Sequence, residues 1–130
     1  MAVSKKMAYW VELADYDLAT ARAMLRTKRY LYVGFMCHQS IEKLVKAAFT
    51  KVGSVTPPFT HSLIDLAKRA SVYEEFSDAQ KDFLDYIQPL NIQARYPTEK
   101  EKIFKTLSNK KCEEIIKGTE RLSKWIKTKL

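Results

Sequence analysis

The chain is poor in the residues that interrupt helices and in those that carry most metal and nucleophile chemistry. Its 130 residues include three Gly, four Pro, two His and two Cys. So few breakers favour long helices, and no segment alternates apolar and polar residues with the period of two that a strand requires. The isolated Gly34, Gly53 and Gly118 form no glycine-rich phosphate loop. His38 and His61 are too few for a zinc site, and no carboxylate cluster at ligand spacing surrounds them; no metal and no cofactor is expected. Cys37 and Cys112 have no Cys-x-x-Cys spacing and fall on apolar helical stripes, which makes them small core residues. Cys37 next to His38 is no nucleophile–base pair, because consecutive helical side chains point about 100° apart. No run of about 18 uncharged apolar residues is available to span a membrane. Met1 to Lys6 leads straight into an amphipathic pattern instead of a signal-peptide core, so the expectation is a cytoplasmic protein.

What is present is an ordinary apolar fraction, 46%, and a strong basic excess: 23 Lys and Arg against 15 Asp and Glu, a net charge of +8. The length suits one domain over residues 1–130. From Lys100 to Leu130 there are ten basic and four acidic residues, an excess of six, so most of the net charge lies at the C-terminal end. Such a balance favours polyanionic partners, RNA or nucleotide phosphates, and equally serves solubility.

Helical periodicity organises the chain. A first helix is expected from about Ser4 to Thr27, with Ser4 as cap and Trp10, Leu13, Ala14, Leu18 and Ala21 on one side. Asp17 projects into that apolar sector, where an unpaired carboxylate is costly. It is therefore expected to be partly buried and paired with a cation of the second helix or of the Arg95 segment. Lys28 to Tyr30 is a tight turn, and the second helix follows to about Lys51 as an antiparallel neighbour. Along it Val33, Cys37, Ser40, Ile41, Leu44, Val45 and Ala48 form the core side, and His38, Gln39, Glu42, Lys43 and Lys46 the opposite, polar side. Gly53 and Pro57-Pro58 end that helix. A short helix is expected from His61 to Ala70, with His61 in its first turn.

Ser77 to Gln80 reads as a capping box opening a further long helix that Pro89 kinks and Pro97 ends, leaving Arg95 and Tyr96 at its C-terminus. Residues 98–107 read as a loop or loose turn. Ser108 or Asn109 caps the last helix, from whose stripe Trp125 diverges, suggesting a second packing surface. The resulting fold class is all-α: an up-down-up-down four-helix bundle with one short extra helix after the second.

Three stretches together carry a family resemblance: Gln39-Ser40-Ile41-Glu42-Lys43-Leu44-Val45-Lys46-Ala47, Thr60-His61-Ser62-Leu63 and Ala94-Arg95-Tyr96-Pro97. In this order and separation they resemble the signatures of HEPN domains (higher eukaryotes and prokaryotes nucleotide-binding), from about Trp10 to Trp125. The resemblance implies nucleotide or nucleic-acid binding, a homodimer that brings its motif faces together, and often a separately encoded minimal nucleotidyltransferase as partner. On this reading His61, Arg95 and Tyr96 accept phosphate and base, beside Gln39, Glu42, Lys43 and Lys46. Many relatives are metal-independent ribonucleases whose signature is Arg, four to six residues, then His. Neither histidine here has an arginine at that distance; Arg29 precedes His38 by nine positions. The expectation is therefore a nonenzymatic binding subunit. One alternative is a divergent, toxin-like ribonuclease using His38 or His61 as base with Arg95 on the phosphate. Another is a bundle that only contacts a protein partner, through residues such as Trp125.

Overall fold

The computed structural model describes residues 4–53, 58–93 and 107–130, apart from the side chains of residues 92 and 93. All regular structure among them is helical. Helix α1 spans Lys5–Arg26, and Ser4 caps it by accepting from the Met7 amide at 3.1 Å. Three residues later α2 spans Tyr30–Phe49. The reversal between them places Lys28 at φ 61°, a left-handed conformation that a side chain adopts at a cost of about 1 kcal/mol.

Twelve of the twenty residues of α2 are buried, among them His38, Ser40 and Glu42. This differs from the two-sided helix expected from periodicity. The polar side of α2 is covered by α1, by the turn at residues 58–62 and by a later short helix, so only its longest side chains reach solvent. Ser40 illustrates the fit, its hydroxyl donating to the Ala14 carbonyl of α1 at 2.8 Å.

Helix α3 spans Leu63–Arg69 and is capped by Ser62, which accepts from the Asp65 amide. The expected start at His61 is thus two residues early, because the Ser62 hydroxyl wins the capping position. A 3-10 turn over Tyr73–Glu75 leads to α4, Asp78–Ile87. Both bonds of the capping box form, Gln80 N to Ser77 Oγ at 3.1 Å and Ser77 N to Gln80 Oε1 at 2.8 Å. Pro89 does more than kink this helix. Lacking an N–H, it divides the expected long element into α4 and a single turn, α5, Leu90–Gln93. Leu90 packs onto Gly34 of α2 so closely that a Cβ there would lie 2.8 Å from its Cδ1. The expected continuation through Arg95 and Tyr96, and residues 98–106 of the following segment, lie outside the described residues.

The last helix, α6, spans Asn109–Lys127, with Ser108 as cap. Arg22 meets Glu120 and Asp15 meets Lys127, so α6 runs antiparallel to α1. Contacts of Cys112 with the Tyr30 carbonyl and of Lys51 with the Lys129 carbonyl make it parallel to α2. The core that these helices share is built from Ile41, Leu44, Val45, Leu66, Leu84, Ile115 and Ile126. Trp125, which diverges from the stripe of its helix, is partly buried: it packs edge-to-face on Phe76 at 5.1 Å with the Lys129 ammonium over it, a second packing contact within the chain. No helix among the described residues is long and apolar enough to cross a membrane.

Candidate functional site: a histidine tethered to the central helix

The polar row of α2 is held in place by neighbours from three other elements. At one end Gln39 donates to Asn91 of α5 at 3.1 Å. One turn on, Lys43 forms an ion pair with Asp17 of α1. Asp17 is therefore buried and paired with the second helix, as its position in an apolar sector requires. The expected result of Asp17→Ala or Lys43→Ala is a loss of about 1–2 kcal/mol, kept at the low end of buried pairs because Lys43 is partly solvated. A double-mutant cycle by urea denaturation checks this; a coupling indistinguishable from zero would mean that the pair does not fix the α1–α2 register.

Glu42 is the centre of the row. It is 2% exposed, yet its carboxylate holds two partners, the Lys46 ammonium at 3.2 Å and Nδ1 of His61 at 3.1 Å. The Lys46 ammonium also sits 5.1 Å from the centre of the Trp10 ring of α1. A carboxylate accepts, so the Nδ1 facing it carries the proton, and the tautomer with Nε2 as the unprotonated nitrogen is selected. His61 itself is half exposed, 43% by side chain.

The backbone that presents His61 is clamped from the end of α4. Gln88, the C-cap of α4 just before Pro89, donates through Nε2 to the His61 carbonyl at 3.0 Å and accepts from the Leu63 amide at 2.6 Å. Thr60 accepts from the Ser62 amide in the same turn. Beside His61 stands Phe59, a residue 99% exposed whose ring meets the imidazole edge-to-face at 5.9 Å. The site is thus an imidazole fixed by a buried carboxylate, with a solvent-facing aromatic ring on one flank and Trp10 with Lys46 on the other.

Of the residues singled out from sequence, Glu42, Lys46 and His61 come together directly, Gln39 and Lys43 lie along the same face of α2, and Asp17 of α1 pairs with Lys43 there. His38 does not join them. It is wholly buried at 0% exposure, so it cannot touch a substrate and is withdrawn as a candidate base. Arg95 and Tyr96 lie outside the described residues. Among those residues, no group of three or more His, Cys, Asp or Glu side chains could hold a metal ion.

The HEPN domain family model matches residues 7–129. The chain belongs to the HEPN domain family. Its fold is also that of a solved relative: the crystal structure of TT1696 from Thermus thermophilus superposes with a TM-score of 0.83 at 18% identity, covering 98% of this chain and 100% of that one. At that identity the likeness is one of fold. No curated protein matches the sequence. The family match fits the way this HEPN chain builds its site. The Gln39–Ala47 stretch supplies the buried Glu42, and the Thr60–Leu63 stretch supplies the imidazole that Glu42 holds.

Sequence reasoning missed four contributors: Trp10, Phe59, Gln88 and Asn91. Trp10 follows the helical stripe and reads as core. Phe59 carried one legible signal, a large apolar residue directly after Pro57-Pro58 with no periodic partner to bury it. Gln88 and Asn91 gave none, since their roles depend on where Pro89 breaks the helix.

Proposed function

We propose that this HEPN chain is a nonenzymatic nucleotide- or nucleic-acid-binding subunit, acting in the cytoplasm as a homodimer and with a separately encoded minimal nucleotidyltransferase. The observation that carries the reading is the half-exposed His61 held on Glu42 next to the fully exposed Phe59, in a chain of net charge +8. An imidazole with a free Nε2 can donate to a phosphate oxygen when protonated, and an exposed ring can stack on a base. Arg95 and Tyr96, next along the chain after α5, are taken as further phosphate and base contacts.

Two features favour binding over cleavage. The chain lacks the Arg-x(4-6)-His spacing, and the nearest described cations of the row, Lys43 and Lys46, are already paired with carboxylates. A phosphorane would need a cation with unspent charge at that point. The second reading, a divergent ribonuclease with His61 as base and Arg95 on the phosphate, is favoured by one specific contact. The Glu42–His61 arrangement orients an imidazole as a general base would require. A role confined to protein contacts has less of Trp125 to use, since the ring is partly buried against Phe76.

His61→Ala is expected to weaken binding of a single-stranded RNA oligonucleotide about fivefold to tenfold, and Arg95→Ala by a similar factor, measured by fluorescence anisotropy at fixed salt. Affinities unchanged in both variants would rule out this site as the RNA contact.

A further inference from the structure

The site on α2 leaves the basic excess of the chain unused. Its two lysines, Lys43 and Lys46, are spent on Asp17 and Glu42. The unspent charge lies on α6. Every acidic residue of that helix is engaged: Glu113 accepts from Asn109 at 2.8 Å, Glu114 stands 3.9 Å from Lys111, and Glu120 pairs with Arg22 at 3.0 Å. Lys127, at the far end, goes to Asp15. What is left is Lys110, Lys117, Arg121 and Lys124. All four are exposed, and none makes an ion pair or side-chain hydrogen bond among the described residues.

At 100° per residue the four fall within an arc of about 60°, opposite the buried stripe of Cys112, Ile115, Thr119 and Ile126. They form one crest, about 21 Å long from Lys110 to Lys124. The α1–α2 turn continues it. The Cys112 thiol reaches the Tyr30 carbonyl at 3.8 Å, which brings Arg26, Lys28 and Arg29, exposed and likewise unpaired among the described residues, beside the first turn of α6. This strip lies on the side of the bundle away from His61. Cys37 of α2 hydrogen-bonds Thr119 on the buried side of α6, and Glu42, which holds His61, points about 140° round α2 from Cys37.

The chemistry of the crest narrows what it can hold. Every exposed residue between Lys110 and Lys124 is charged, because the apolar side chains of α6 are turned inward. A membrane surface asks for apolar groups to insert beside the cations, and a protein interface for an aromatic or aliphatic anchor to bury. The sugar–phosphate backbone of a nucleic acid asks only for a row of cations with unspent charge. We infer that the strip formed by the α6 crest and the α1–α2 turn is a second, sequence-independent RNA site, with Lys117, Arg121 and Lys124 on backbone phosphates. It goes beyond the functional reading, which brings RNA to His61 on the opposite face. The His61 face supplies an imidazole and an aromatic ring for local recognition; the α6 strip supplies the electrostatic attraction that the paired lysines of α2 cannot.

The test is fluorescence anisotropy of a labelled single-stranded RNA of about 20 nucleotides with the full chain across a salt series. The proteins are wild type, a double variant of the crest (Lys117→Gln with Arg121→Gln), a control double variant (Lys5→Gln with Lys68→Gln), and His61→Ala. The crest variant should bind about tenfold more weakly at low salt, and its slope of log affinity against log salt should fall by about 1.4, two phosphate contacts at about 0.7 each. The control removes the same charge from exposed lysines outside the strip and should keep a slope close to wild type. All four glutamines stand at exposed positions, and unchanged melting temperatures show that the variants are folded. A crest variant indistinguishable from wild type overturns the proposal. Equal losses in the two double variants also overturn it, by assigning the effect to net charge. Phosphatidylglycerol vesicles that cosediment with wild type but not with the crest variant, at unchanged RNA affinity, overturn it in favour of a membrane. Weaker binding by the crest variant with none in His61→Ala leaves the strip standing and removes the His61 reading, and the reverse pattern does the opposite.

Discussion

Glu42→Ala is expected to cost about 3 kcal/mol of folding stability, which for a domain of this size lowers the melting temperature by roughly 10 °C. The carboxylate sits at 2% exposure with Lys46 and His61 as partners. Removing it leaves the Lys46 ammonium, itself mostly buried, with only the face of Trp10 for compensation. It also frees the His61 imidazole from its fixed tautomer. Glu42→Gln keeps an acceptor and the shape of the side chain, and should cost about half as much. Replacing both Glu42 and Lys46 with Leu should cost less than Glu42→Ala alone, because no unpaired charge is then left behind. Thermal denaturation of the three variants checks the series. A Glu42→Ala variant within about 0.5 kcal/mol of wild type would mean that the carboxylate is not the anchor of the row.

The second large effect is alkaline. Burial pushes the Cys37 thiol from 9.0 up to about 12, against a weaker opposite pull from its hydrogen bond with Thr119, and burial pushes Cys112 up to about 11. Both folded values lie above the unfolded one, so below pH 9 both states hold the proton and the thiols add no pH dependence. Above that pH the unfolded chain ionises its thiols while the folded chain does not, and stability falls as pH rises towards the folded values. By about pH 10 the two sites together should cost about 2–3 kcal/mol. Urea denaturation at about pH 8 and about pH 10 measures the difference. In a Cys37→Ala, Cys112→Ala variant, less stable throughout from lost packing, that pH-dependent part should shrink. An equal fall in both proteins would place the effect on other groups.

Legibility in the sequence followed the length scale of the interaction. Local signals were sound: the Ser4 cap, the Ser77–Gln80 capping box and the α1–α2 reversal depend on residues a few positions apart. Asp17 was also legible, since a carboxylate within an apolar stripe has few options, and the structure pairs it with Lys43 of the second helix. Burial of the polar side of α2 was not. Periodicity separates apolar from polar residues but does not say that a turn 19 positions away will bring His61 onto Glu42. The same limit hid Gln88, whose grip on the His61 turn joins residues 25 and 27 positions apart at the C-terminal end of α4. Trp125 shows the same limit. It leaves the stripe of its own helix, and the pattern cannot show that Phe76 waits for it.

The most direct test of the binding reading incubates the purified, metal-stripped protein with labelled structured RNA and resolves binding and cleavage on one gel across a salt series. A nonenzymatic binding subunit should give a shifted, intact RNA whose affinity falls steeply with salt and is weakened in His61→Ala. RNA cleaved by the wild type in EDTA and left intact by His61→Ala would contradict that reading, and would establish His61 on Glu42 as a general base.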